Sequence, residues 1–167
     1  MVQRQELLER LLAAHEDYFD VEDTFTLAGQ TFQGHAQFHS ESMQYVLSKK
    51  AKIWGANIHE HILFRSLEHL DVATLEELIA FMKTEALSLV ELNSEHMTTF
   101  LSLVIIAESA DTNAKELVRK TKFRKNFSFG LKGWTDLRLA LIDLSDSSIT
   151  TNPQGKELFN TLEANLF

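Results

Sequence analysis

The first hydrophobic positions of the chain have the spacing of an α-helix that is buried on one side. Four leucines recur at intervals of three and four residues, with charged residues between them: Leu7, Leu8, Leu11 and Leu12. This pattern predicts an amphipathic helix over residues 2–17. The same spacing predicts a second helix over residues 75–92, preceded by a capping box of Thr74 and Glu77.

Between these two helices, apolar and polar residues alternate, which is the pattern of β-strands with one solvated face. The alternation is clearest over residues 32–39 and 58–64. Turn sequences at Gly29-Gln30 and Gly55-Ala56-Asn57 interrupt it. Residues 20–66 are therefore predicted to form three or four strands joined by short turns, as an antiparallel meander.

The second half of the chain is predicted to mix strands and helices. Residues 97–107 are apolar on both faces, as in a strand that is covered on both sides. Further along, the pattern predicts a short helix over 114–121, a hairpin of strands 122–130 and 134–144, and a last helix that begins at Asn152-Pro153. Because the strands cluster early, we predict a single α+β domain over residues 1–167, with a mixed or largely antiparallel sheet flanked by helices.

Composition limits the cellular setting of the protein and the kinds of chemistry it can perform. The chain of 167 residues has no cysteine, which excludes disulfides, thiol catalysis and cysteine-ligated metals. Its most apolar run, at 97–107, is too short for a membrane-spanning helix, which needs about 20 residues. The charged N-terminus lacks the apolar core of a signal peptide. We therefore expect a soluble, cytoplasmic protein that has no membrane partner.

Charge is distributed unevenly along the chain. The net charge is −8, yet residues 115–138 contain eight of the sixteen basic residues and only two acidic ones, Glu116 and Asp136. An acidic protein binds nucleic acid poorly in a non-specific way, so a nucleic-acid partner is disfavoured. The basic segment itself predicts contact with an anion.

The basic segment coincides with the predicted hairpin and supplies the candidate ligand-binding residues: Arg124, Lys132, Trp134 and Arg138. Basic side chains and an indole ring on one sheet surface can hold an anion or stack a planar group. The alternative is structural, with Asp136 pairing with a basic neighbour and the other charges solvated. Three phenylalanines at alternate positions have core spacing and are predicted to pack inside the protein: Phe123, Phe127 and Phe129.

Four histidines in the predicted meander offer a second kind of site. His59 and His61 share a strand face, about 7 Å apart, and could hold one Zn²⁺ or Fe²⁺. His35 and His39 lie too far apart along a strand to chelate one ion together, so one of them would have to approach from a neighbouring strand. Glu60 points away from His59 and His61. The alternative is that these histidines only decorate a solvated face.

Motifs for nucleophilic or phosphate chemistry are absent, because the chain has no G-x-S-x-G, S-x-x-K, P-loop or G-x-G-x-x-G. The last third of the chain resembles an uncharacterised prokaryotic protein family of unknown function. The resemblance lies mainly within residues 123–157, in the segments Phe127-Ser-Phe-Gly-Leu-Lys-Gly-Trp134, Asp136-Leu-Arg138, Asp143-Leu-Ser145, Thr151-Asn152 and Gly155-Lys156-Glu157. It implies no catalytic residues.

We expect a non-enzymatic binding or interaction module that uses the hairpin of residues 122–138 to contact an anionic small molecule or an acidic protein surface. No cofactor is expected, and a homodimer is a further expectation, since homodimers are the commonest oligomers. The alternative is a small metal-dependent enzyme that uses the histidines of residues 35–61. The module predicts salt-sensitive anion binding that Arg138→Ala and Lys132→Ala abolish. The enzyme predicts a bound metal that His59→Ala and His61→Ala remove.

Overall fold

A computed structural model describes residues 2–39, 57–92 and 96–167 of the chain. The described residues form four α-helices and nine β-strands, with short 3₁₀ segments between them. The helices are α1 (Arg4–His15), α2 (Val72–Lys83), α3 (Thr112–Lys120) and α4 (Phe159–Leu166). The strands are β1 (Asp20–Glu22), β2 (Phe25–Leu27), β3 (Gln30–Phe32), β4 (Gly34–His39), β5 (Asn57–Leu70), β6 (His96–Ala110), β7 (Arg124–Asn126), β8 (Trp134–Asp143) and β9 (Ser148–Thr151).

Seven of the strands form one mixed sheet in the order β1-β4-β5-β6-β8-β7, and β9 pairs with the far end of β8. The central strands β5, β6 and β8 are parallel, whereas β1, β4, β7 and β9 are antiparallel to their neighbours. β2 and β3 form a separate hairpin, whose turn places Ala28 and Gly29 at positive φ. The predicted α+β class and mixed sheet are therefore confirmed.

The three central strands are parallel because a helix lies in each connection between them. α2 joins β5 to β6, and α3 lies between β6 and β8, so the chain returns to the same end of the sheet each time. The strand predicted over 97–107 is confirmed and is longer than predicted. None of the helices in the described ranges is long and apolar enough to cross a membrane.

Each face of the sheet carries its own hydrophobic core. α2 and α3 cover the face that bears Leu103 and Leu139, and α1 and α4 cover the face that bears Phe64 and Val104. The predicted leucine stripe of α1 is buried in the second core. Polar side chains replace the apolar ones toward the N-terminal ends of β5, β6 and β8, and the candidate sites lie there.

Some predicted boundaries are wrong for local reasons. α2 begins before the predicted capping box, because the side chain of Asp71 accepts a hydrogen bond from the Thr74 N–H at 2.7 Å and acts as the N-cap. α2 also ends at Lys83, where a 3₁₀ segment, Glu85–Leu89, follows. The strand β9 was not predicted. The predicted turn at Gly55 and the strand pattern of residues 40–56 lie outside the described residues.

Candidate functional site

The predicted basic hairpin forms, but its first strand is short. β7 pairs antiparallel with the first three residues of β8, and residues 127–133 form the loop between them, which we call the hairpin loop. Five backbone hydrogen bonds hold this loop. The one that spans the most residues runs from the Phe127 N–H to the Gly133 carbonyl at 3.0 Å. Ser128–Gly130 adopt left-handed conformations with φ of 49°, 56° and 89°. The hairpin loop is therefore well hydrogen-bonded but strained at two non-glycine residues.

The hairpin loop holds two large apolar side chains in solvent. The relative exposure is 105% for Phe129 and 85% for Leu131. The prediction that Phe129 packs inside the protein is wrong, because its backbone belongs to a left-handed turn rather than to an extended strand. Phe123, by contrast, packs against the core beneath α2 and α3. The tip of the hairpin is thus an apolar surface within a basic segment.

Arg124 is held by a carboxylate of the same hairpin. Its Nε and Nη2 donate to the two oxygens of Asp136 at 2.6 and 2.8 Å, a bidentate pair between residues that face each other in the β7–β8 register. These hydrogen bonds raise the pKa of Arg124 above its ordinary value. The guanidinium also lies over the indole of Trp134, 5.1 Å from the ring centre.

Arg138 makes a second ion pair on the same face of β8. Its guanidinium lies 3.5 Å from the ring centre of Phe100, and its Nη1 donates to Glu60 Oε2 at 3.4 Å. The hydroxyl of Ser102 donates to the same oxygen at 2.7 Å. Glu60 is only 9% exposed, so these two donors supply hydrogen bonds that a buried carboxylate needs. The sequence places Glu60 on the face away from His61, and the structure agrees.

Two buried polar atoms near this site have no hydrogen-bond partner among the described residues: Nε1 of Trp134 and Oγ1 of Thr98. The two residues are neighbours in the parallel register of β6 and β8. An indole N–H can only donate a hydrogen bond. Any group that satisfies Trp134 must therefore be an acceptor.

A cleft of about 310 Å³ opens beside Arg138, between α1, the segment before α4, and the sheet. Glu60, Arg138 and Glu157 contribute the charged part of its lining, and His15 at the end of α1 contributes a buried imidazole. The His15 Nδ1 lies 2.7 Å from the Leu11 carbonyl oxygen, to which it donates. Sequence reasoning missed Glu60 and His15 as parts of one site, because their neighbours come from distant segments.

The four predicted ligand-binding residues fall into separate groups. Arg124 and Trp134 are in contact beside Asp136. Arg138 lies four residues along β8 from Trp134, about 13 Å by strand geometry. Lys132 is exposed in the hairpin loop. The sequence therefore identifies a common hairpin surface, whereas the structure divides it into a tip and an ion-paired strand face.

The histidines lie on the opposite face of the sheet. His35 on β4 approaches His61 on β5, with His35 Nε2 3.0 Å from His61 Nδ1 and the rings parallel. The Phe25 ring stacks on the His35 ring, with the ring centres 4.1 Å apart. Burial lowers the pKa of His35, and the Glu22 carboxylate 3.8 Å away offsets this only in part.

The pair of buried imidazoles is less than a metal site needs. In the part of the chain that the structure describes, no group of three or more His, Asp or Glu side chains is placed to hold a metal ion. His59 lies two residues from His61 along β5 and is half-buried. His39 pairs with His59 in the backbone register. The geometry therefore provides a hydrogen-bonded histidine pair rather than a ligand set.

Comparison with known proteins gives a family but no activity. No curated protein and no solved structure matches the chain. The model of a family described as a domain of unknown function, DUF8052, matches residues 3–164. This confirms the predicted resemblance to an uncharacterised family and extends it from the last third to nearly the whole chain. The chain therefore belongs to the DUF8052 family.

Proposed function

We propose that the protein is a non-enzymatic binding module that uses its basic hairpin to contact an anionic partner. The observation that carries the proposal is the hairpin loop, which keeps Phe129 and Leu131 exposed. These residues lie in a segment, residues 117–135, that contains six basic residues and no acidic one. An exposed apolar tip within a basic surface is typical of an interaction site.

The geometry favours an extended anionic surface over a small anionic molecule. The two arginines that could chelate a phosphate already hold carboxylates, Arg124 at Asp136 and Arg138 at Glu60. A small anion at either position would have to displace a partner carboxylate that is at most 9% exposed. The lysines of the hairpin are exposed and can meet a surface without breaking these pairs.

The experiment is chromatography on a sulfonate matrix at neutral pH. A protein with a net charge of −8 should pass through unless one patch binds, so we expect retention at low ionic strength and release by salt. Lys125→Ala and Lys132→Ala should each lower the salt concentration of elution. Lys156→Ala, which removes the same charge from an exposed position outside the hairpin, is the matched control.

The result against the proposal would be no retention of the wild type, or an equal shift for Lys156→Ala and the hairpin variants. Arg138→Ala is a poorer test than the lysine variants, because it also strips Glu60 of its ion-pair partner. The proposal includes a cytoplasmic setting and a homodimer. Native mass spectrometry of the purified protein measures the subunit number.

A small metal-dependent enzyme is the second candidate, and the approach of His35 to His61 is the observation that favours it. Elemental analysis of the protein purified without chelators tests it directly. The enzyme predicts one Zn²⁺ or Fe²⁺ per subunit, lost in His61→Ala and His59→Ala. A metal content well below one per subunit, or one unchanged by both substitutions, excludes these histidines as ligands.

A further inference from the structure

We propose that the hairpin loop docks on an anionic lipid bilayer, with Phe129 and Leu131 inserted among the headgroups and the neighbouring lysines against the lipid phosphates. This inference rests on the proposed function and names the partner of the same site. It departs from the expectation that the protein has no membrane partner, which is drawn from the lack of a membrane-spanning segment, because contact with the surface of a bilayer requires no spanning helix. Such contact requires a rigid apolar tip, a basic surround and no competing acidic group near the tip.

The hairpin loop meets the first requirement because its exposed side chains stand on an ordered backbone. Phe129 has φ of 56°, a backbone conformation that residues other than Gly, Asn and Asp rarely adopt. The hydrogen bonds from the Gly130 N–H to Phe127 and from the Leu131 N–H to Ser128, both 3.0 Å, stabilise it. The strain therefore serves to present Phe129 outward rather than to bury it.

The size of the tip distinguishes a bilayer from a protein partner. A phenylalanine ring offers on the order of 200 Å² of contact area, and the leucine beside it offers less. A stable protein interface buries about 800 Å² on each partner. Two side chains on a protruding loop fall well short of that area, but they suffice for insertion into headgroups when basic residues add electrostatic attraction.

The charge around the tip is of the right sign. Lys122, Lys125 and Lys132 are exposed in the same hairpin, and residues 117–135 contain no acidic residue. Asp136, the nearest acid along β8, is 5% exposed and bound to Arg124. Acidic residues farther from the tip than the Debye length, about 8 Å at physiological salt, act only weakly on a bilayer beneath it.

The test is flotation with vesicles of phosphatidylcholine containing phosphatidylglycerol, compared with vesicles of phosphatidylcholine alone. The wild type should bind the anionic vesicles and lose binding in high salt. Phe129→Asn with Leu131→Gln should lower the partition coefficient roughly tenfold or more. Asparagine is chosen because it tolerates the left-handed backbone. Phe167→Asn, which removes another exposed phenylalanine outside the hairpin, should bind as the wild type does.

The electrostatic part has its own test. Lys125→Ala and Lys132→Ala should each lower the partition coefficient roughly fivefold. In addition, Phe129→Trp in vesicles with brominated acyl chains should show tryptophan quenching beyond that of the wild type. Equal binding by the wild type and the double tip variant, or absence of added quenching, overturns insertion.

The two proposals fail in different ways. Retention on the sulfonate matrix without binding to anionic vesicles overturns the bilayer as partner and leaves the anionic binding module standing. If the protein neither stays on the sulfonate matrix nor binds anionic vesicles, the binding module and the bilayer as its partner are both overturned. Binding to vesicles that does not depend on phosphatidylglycerol also overturns the inference, because the lysines would then play no part.

Discussion

Asn152 connects three segments of the fold through one side chain, and its replacement by alanine is expected to be among the most damaging single changes in the chain. The side chain is fully buried. Its Nδ2 donates to the carbonyl oxygens of Thr121 at 3.1 Å and Leu137 at 2.9 Å. Its Oδ1 accepts from the N–H groups of Leu139 at 2.9 Å and Gly155 at 2.7 Å. The end of α3, the strand β8 and the start of the last helical segment therefore share this amide.

The magnitude follows from the number of partners. Asn152→Ala leaves two donors and two acceptors of the backbone without this partner in a buried site, and each loss costs about 1 kcal/mol or more. We expect the free energy of unfolding to fall by about 4 kcal/mol. That is a large fraction of the 5–15 kcal/mol typical of a folded domain (about 0.1 kcal/mol per residue).

Urea denaturation followed by circular dichroism measures this change. With an m-value of about 2 kcal/mol/M, the unfolding midpoint should fall by about 2 M. Asn165→Ala is the control, because Asn165 donates a single exposed hydrogen bond to the Thr161 carbonyl at 2.8 Å, and it should cost about 0.5 kcal/mol or less. A loss below about 1 kcal/mol for Asn152→Ala would show that the four contacts do not hold these segments together.

Three further predictions concern charged and titrating groups. Lys115→Met removes the partner 2.8 Å from Asp143, a carboxylate that is 2% exposed, and should lower the free energy of unfolding by about 2–3 kcal/mol in urea. Burial raises the pKa of Asp143, but the hydrogen bonds from Lys115 and Ser145 and the charge of Lys115 together outweigh it, and the pKa is lowered. This stabilisation is present above pH 3.8 and is lost as the pH falls through the folded-state pKa, so the two proteins should converge in acid. Burial lowers the pKa of His35 below 6.5, so the unfolded state takes up the proton first. The Tm of the wild type should then fall more between about pH 7.5 and pH 5.5 than that of His35→Gln, and equal falls contradict this. Arg138→Met should cost about 2 kcal/mol by leaving Glu60 buried without its ion pair, and adding Glu60→Gln should restore most of it; a double variant no more stable than the single one argues against the pair.

The elements that the sequence predicts well are those whose burial is decided locally. The leucine stripe of α1 has a period that only a helix can bury on one side. The continuous apolar run at 97–107 identifies β6, because a central parallel strand is covered on both faces. In both cases the hydrophobic pattern along the chain shows which faces of the element are covered by other elements.

The candidate site is harder to predict, because its contacts join distant parts of the chain. Glu60 and Arg138 are 78 residues apart, and His35 and His61 are 26 apart. Alternation correctly places Glu60 on the face away from His61, but nothing local indicates which residue will pair with it. Only the strand order, with β6 between β5 and β8, brings Arg138 to Glu60.

The prediction of a strand over the hairpin loop is wrong for a different reason. Phe127 and Phe129 occupy alternate positions, and this pattern fits a strand as well as the patterns of the true strands do. The pairing of β7 ends at Asn126 opposite Trp134, and the residues beyond it have no neighbouring strand to bond. They close on themselves through left-handed residues, with Gly130 and Gly133 at φ of 89° and 78°. A strand pattern predicts a strand only where a partner edge is available.

The ion pairs of the hairpin also determine what kind of partner it can recognise. Residues 115–138 contain eight basic residues, and four of them hold carboxylates: Lys115 and Arg119 on α3, and Arg124 and Arg138 in the hairpin. All three arginines of residues 115–138 are used in this way, and Arg124 holds its carboxylate with two hydrogen bonds. Lys120, Lys122 and Lys125 form no ion pair with any residue in the described ranges.

Lysine ammonium groups are point charges on flexible stems, and they respond to the density of negative charge rather than to the shape of one ligand. A hairpin that commits its arginines internally and presents lysines around Phe129 and Leu131 is therefore suited to a diffuse anionic surface. At equal surface charge, vesicles of phosphatidylserine and of phosphatidylglycerol should bind it equally well. A strong preference for one headgroup would instead require a shaped pocket, and the cleft among the described residues of this face lies beside Arg138 rather than at the exposed tip.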